Sequence, residues 1–150
     1  TNEGSCSGKH VLLRDLLRHA NHRADVETVK GDFAASVPVV KSMPPRLQRY
    51  CADGGIKDFH HYVVWQSANG ECKLDATWPD QMAAMGFTDN SNWTGQGDTM
   101  LALEPEAVLE RVEDVEAYKK RLLAGLSDRE QTDRAHFLLL LSDWIVAIKN

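Results

Sequence analysis

The chain has 150 residues, 43% of them hydrophobic and 26% charged, values that fit one folded domain and exclude a disordered chain. A net charge of −5 argues against nucleic acid or an anionic membrane as partner, since both need a basic face. The longest apolar run, Phe137 to Leu141, is too short to span a bilayer. No signal-peptide pattern is visible, and Cys6, Cys51 and Cys72 form neither a disulfide framework nor a CxxC metal pair, so a cytoplasmic setting is expected.

In chain order, the first element is a helix. Val11, Leu12, Leu16 and Ala20 recur at helical spacing, with Leu13 and Leu17 beside them. Glu3-Gly4-Ser5-Cys6-Ser7-Gly8-Lys9-His10 runs straight into it, and Ser5 or Ser7 is suited to cap it. Cys6 then stands at a helix N-terminus, where free amides and aligned dipoles favour an anion and lower a thiol pKa. The alternative for Cys6 is a small buried hydrophobe. Lys9 and His10 read as solvated residues of the first turn.

Asp25 to Lys30 alternates as a strand and ends at Gly31-Asp32. Pro38, Pro44 and Pro45 forbid one helix over Val37 to Tyr50, leaving room for a short one at Arg46 to Cys51, closed by Gly54-Gly55. Asp58 to Gln66 is a strand, Ser67 to Gly70 a turn, and Glu71 to Trp78 the returning strand, stopped by Pro79. Ala83 to Gly97 reads as loop, and Thr99 to Leu103 as a further strand. A helix is expected from Pro105, with Val108, Val112, Val115 and Leu122 as its stripe, ending near Gly125. Ser127-Asp128-Arg129-Glu130 is a capping box for a last helix with stripe Phe137, Leu141, Trp144 and Ile148. Both C-terminal helices read as core packing. The order predicts an α+β fold with a largely antiparallel sheet, a single domain over 1–150 with a core of about 1–104 and a helical extension over about 105–150.

Chemistry gathers on the hairpin. One strand carries His60 and His61, the other Asp75. A thiol needs a base near neutral pKa, and that base needs an acceptor to fix its tautomer and stabilise its cation. Cys6, a histidine and Asp75 make that set. The same three residues are also metal-ligand types, though no second ligand lies at short metal-type spacing. Cys72, on the same hairpin, reads as a core residue.

These segments resemble a known superfamily. Glu-Gly-Ser-Cys-Ser-Gly-Lys-His-Val-Leu-Leu is similar to the nucleophile segment of the transglutaminase-like superfamily, roughly Gly-x-Cys-x-x-Lys-His/Ala-x-Leu-Leu. His-His-Tyr-Val-Val-Trp and Leu-Asp-Ala-Thr-Trp resemble its histidine and aspartate strands, in the same order. The resemblance spans Gly4 to about Trp78 and does not extend to the C-terminal helices. It implies a papain-like core, with the nucleophile helix packed on an antiparallel sheet. It also implies Cys6 as nucleophile, His60 or His61 as base and Asp75 as its orienter. Tyr62 stands where the family often has Trp, and the oxyanion donor is unassigned, the Cys6 amide being one candidate.

The expected function is thiol-dependent attack on an amide or ester carbonyl of a peptide, protein or small molecule, with release of the acyl group to water by default or to an amine, without cofactor or metal. The alternative is a catalytically silent binding module of the same fold. Of the two histidines, His60 is the expected base. Tyr62 lies two residues after it and Asp75 fifteen after it, both as the family pattern implies. An even-numbered turn through Asn69-Gly70 would put Asp75 on the face of His60, Tyr62 and Val64, whereas a three-residue connection would put it with His61.

Overall fold

The structure, a computed structural model, describes residues 6–150. Four helices surround one four-stranded antiparallel sheet. The elements run α1 (Cys6–His19), β1 (Ala24–Asp32), α2 (Pro45–Asp53), β2 (Lys57–Ser67), β3 (Gly70–Leu74), β4 (Ala107–Arg111), α3 (Val115–Ala124) and α4 (Asp128–Lys149). Strand order is β3-β2-β1-β4. No helix among the described residues is long and apolar enough to cross a membrane.

The long β2 sets the plan. Alternation sends Val63 to one face, where it packs with Val26, Cys72, Leu74 and Val115 beneath Val11, Leu13 and Leu17 of α1. It sends Tyr62 and Val64 to the other face, with Val29 and Leu103. A third cluster joins Leu47 and Cys51 of α2 to Phe137, Leu141 and Trp144 of α4. Each large apolar side chain buried there contributes about 1.5–3 kcal/mol relative to exposure.

Helix α1 buries a different stripe from the one expected. Leu12 and Leu16 face solvent, while His10 and Arg14 are buried beside Leu13 and Leu17. Polar residues occupy inward positions because the fold supplies partners: Arg14 donates to the Glu113 carbonyl at 2.9 Å. Ser7 lies inside α1 and is not its cap, and Ser5 lies outside the described residues.

Further expectations fail downstream. Thr99 to Leu103 is not a strand: its amides bond the Lys73 carbonyl (from Thr99 N, 2.9 Å) and the side chains of Asn90 and Asp75 rather than a ladder. The helix expected from Pro105 begins only at Val115, because Asp114 caps it by accepting from Ala117 N, while Ala107–Arg111 pairs with β1. The returning hairpin strand also stops at Leu74, short of Trp78. The stretch read as loop from Ala83 begins within a 3-10 helix at Asp80–Met85.

Candidate active site

The site forms where β3 stops. Ser67 pairs with Gly70 across a two-residue loop, Ala68-Asn69, with Gly70 at φ 115°. This is the even-numbered connection, displaced by one residue from Asn69-Gly70. Val63 pairs with Leu74, so Asp75 follows in register opposite Tyr62, on the His60 face. Beyond Leu74, β2 has no strand partner on that side, and the segment 75–77 and the start of α1 meet His60 there.

Three sequence-predicted residues come together. Cys6 Sγ lies 3.8 Å from His60 Nδ1, and His60 Nε2 lies 2.6 Å from Asp75 Oδ2. A carboxylate only accepts, so Nε2 carries a hydrogen and Nδ1 presents its lone pair to the sulfur when the ring is neutral. Asp75 is itself held: Oδ2 accepts from Ala102 N at 2.8 Å, and Oδ1 from Thr77 N at 3.0 Å and Thr77 Oγ1 at 2.5 Å.

Two further residues complete the cluster. His10, expected to be solvated, is instead fully buried, because the backbone of Cys6 and Ala76 supplies its partners, with Nδ1 2.8 Å from the Cys6 carbonyl and 3.7 Å from Cys6 Sγ. Its Nε2 accepts the Ala76 amide hydrogen at 2.9 Å and lies 3.5 Å from Asp75 Oδ1. Thr77 Oγ1 lies 3.0 Å from Cys6 Sγ. Its single hydrogen is shared between a carboxylate and, once formed, a thiolate. If it turns to the sulfur, Asp75 Oδ1 still keeps the Thr77 amide.

The electrostatics favour an ion pair. Burial pushes the Cys6 thiol up, but hydrogen bonds from His10 and His60 and the charge of His60 outweigh it and bring the pKa down to about 6. Burial pulls His60 down, and the bonds to Asp75 and Cys6 more than reverse this, to about 9. Asp75 is driven well below the carboxylate range: burial opposes ionisation, but His60 and Thr77 favour the charge. For His10, burial is likewise opposed by Asp75 and Cys6, a balance that alone lifts it to about 9. The Ala76 amide aimed at Nε2 forbids a proton there, so in this geometry His10 is neutral with its hydrogen on Nδ1.

His61 points to the opposite face, buried, with Nδ1 2.8 Å from Thr28 Oγ1. Burial, then the charges of Lys119 and His60, lower its pKa to about 3, so it cannot serve as a cation partner for the thiolate.

Among the described residues no group of three or more His, Cys, Asp or Glu is placed to hold a metal ion. His60 stands between Cys6 and Asp75 with one nitrogen toward each, so the three do not converge on a point. Cys6 is half-buried and lines a cleft of about 480 Å³ between Trp78–Met82 and α4. The chain matches no family model, no curated protein and no solved structure.

Proposed function

We propose that this chain is a cysteine-nucleophile hydrolase or acyltransferase with a papain-like arrangement, in which Cys6, His60 and Asp75 act as nucleophile, base and orienter. The observation that carries the reading is the chain of contacts from Cys6 Sγ through His60 Nδ1 and Nε2 to Asp75 Oδ2, at 3.8 and 2.6 Å, at the mouth of an open cleft. The resemblance to the transglutaminase-like superfamily supports it.

The Cys6 thiolate adds to a substrate carbonyl and forms the C–S bond. The tetrahedral adduct collapses, and the leaving amine or alkoxide departs with the bonding pair and takes the Nδ1 proton of His60. Water then enters. Neutral His60 accepts its proton as the hydroxide oxygen bonds the acyl carbon, and the C–S bond breaks to return the thiolate. Asp75 holds Nε2–H throughout, so only Nδ1 exchanges protons. His10 fixes the backbone on both sides, gripping the Cys6 carbonyl and the Ala76 amide at once.

The test is the second-order rate of Cys6 alkylation by iodoacetamide near pH 6, in native protein and in the variants His60→Ala and His61→Ala. The expected outcome is fast, selective reaction in the native protein, lost in His60→Ala and largely kept in His61→Ala. A native rate equal to that of a free cysteine would instead mark a silent binding module.

A further inference from the structure

The cleft at Cys6 continues into a second hollow of about 660 Å³, and the two share Pro79, Met82, Ile145 and Lys149. Together they make one trough that starts at the sulfur and runs along α4 to Met85 and Ile148. Its walls are mostly apolar, with Lys9, Thr77 and Ser142 in the Cys6 cleft, Gln81 in the second hollow and Lys149 in both. Val146 and Ile148 stand 47% and 36% exposed on α4, a cost in water unless something covers them. Ile148 was expected in the core; instead it lines the far end of this trough.

The walls also restrict what can lie there. One is the side of α4, whose backbone groups are spent within the helix except for the carbonyls of its last turn. The other is Trp78, Pro79, which has no amide hydrogen, and the 3-10 helix Asp80–Met85, where Met82 N bonds the Pro79 carbonyl at 3.0 Å. None of the described residues that line the trough belongs to a strand. A peptide laid along it would lose water from its amides with little backbone to pair with, whereas an alkyl chain loses nothing polar. A pocket of several hundred cubic ångströms, mostly apolar with a few polar groups at one end, fits a small ligand of that kind.

We propose that the trough is the acyl site: the substrate carries an unbranched apolar acyl chain, of medium length, as an ester, thioester or amide whose carbonyl sits at Cys6. This rests on the thiol reading of Cys6 and extends it to the substrate class.

The experiment compares N-methyl-, N-butyl-, N-hexyl- and N-octyl-iodoacetamide as alkylating agents for Cys6. Each methylene buried raises binding by about fourfold at most, so in an open trough the hexyl-to-methyl rate ratio should exceed tenfold. Val146→Asp, in the cleft that Cys6 also lines, should cut the ratio severalfold for all longer reagents. Ile148→Asp, at the far end, should cut it for octyl more than for butyl. Leu139→Asp, on an exposed α4 position outside the trough, should leave the ratio as it is. Fast alkylation with no chain-length preference overturns the acyl site and leaves the thiol reading standing, and so does a peptidyl chloromethyl ketone that reacts faster than the octyl reagent. The trough is tested apart from thiol chemistry in Cys6→Ser, titrated with N-alkylacetamides and read by Trp fluorescence, since Trp78 lines it. Saturable binding that tightens with chain length supports the site even if Cys6 proves unreactive. No saturation up to the solubility limit overturns it.

Discussion

At residue scale, proton positions follow from which atoms donate. The Ala76 amide and the Asp75 carboxylate make opposite demands on two imidazoles: one needs a lone pair at His10 Nε2, the other a hydrogen at His60 Nε2. Only His60 is therefore free to cycle between neutral and charged, and the thiolate should form with it. Alkylation of Cys6 should rise with pH through an apparent pKa near 6 rather than the ordinary thiol value of about 8.5. In His60→Ala the midpoint should move up, because burial is then less opposed; a native midpoint near 8.5 would defeat the ion pair. His10→Leu removes two part-buried bonds, to the Ala76 amide and the Cys6 carbonyl, and at about 0.5–1.5 kcal/mol each should cost about 1–3 kcal/mol in urea unfolding. Cys6, His60 and Asp75 could be picked out of the sequence because their residue types form a known chemical set. His10 could not: a histidine in a first helical turn carries no sign of burial, and its partners are the backbone of Cys6 and a residue sixty-six positions away.

At the scale of elements, the site depends on a segment with no regular structure. Leu101 to Glu104 runs against β1, and Ala102 supplies the amide that fixes Asp75 Oδ2. Gly31 makes this approach possible, since a Cβ there would stand 2.4 Å from Leu103 Cδ2 and 2.5 Å from the Glu104 carbonyl oxygen. The Leu103 side chain can yield, but the Glu104 backbone has to shift. Gly31→Ala should cost about 1–3 kcal/mol of stability by overpacking. It should also slow Cys6 alkylation at pH 6, because Asp75 loses a donor. Unchanged stability and rate together would show that the segment is free to move. The sequence misread this region for a physical reason. Val108, Val112 and Val115 match a helical period, but Val108 is exposed on an edge strand and Val115 is the first residue of a helix that Asp114 caps. Two short elements meeting at a cap imitated one longer one. The β2–β3 register was readable because the turn residues restrict loop length.

For the whole molecule, the expected division into a core to about 104 and a helical extension does not describe the packing. β4 is hydrogen-bonded to β1, and Phe137, Leu141 and Trp144 fill the same cluster as Leu47 and Cys51. Arg134 Nε bonds Asp58 Oδ1 at 2.7 Å, tying α4 to the strand that carries His60. This joint core buries ionisable groups, and they set the response to acid. Between about pH 6.5 and 8.5 the Cys6–His60 pair binds the same number of protons folded, as thiolate and imidazolium, as unfolded, as thiol and imidazole, so it adds no slope there. Its contribution falls only outside that window. On the acid side it falls until the folded thiolate protonates near 6, and on the alkaline side until His60 deprotonates near 9. His61 acts over a wider range. Its folded pKa is depressed to about 3, so below about pH 6.5 the unfolded chain takes up a proton that the folded chain refuses. His61 alone should then lower stability by about 1.4 kcal/mol per pH unit from near pH 6 downward, before most carboxylates titrate. Urea unfolding at pH 7, 6, 5 and 4 measures this slope. His61→Phe removes the titrating ring; whatever its absolute cost from leaving the Thr28 hydroxyl without its partner, its slope between pH 6 and 4 should be the shallower by about one proton. Equal slopes in the two proteins would mean that His61 is protonated in the fold, with its ring reached by water.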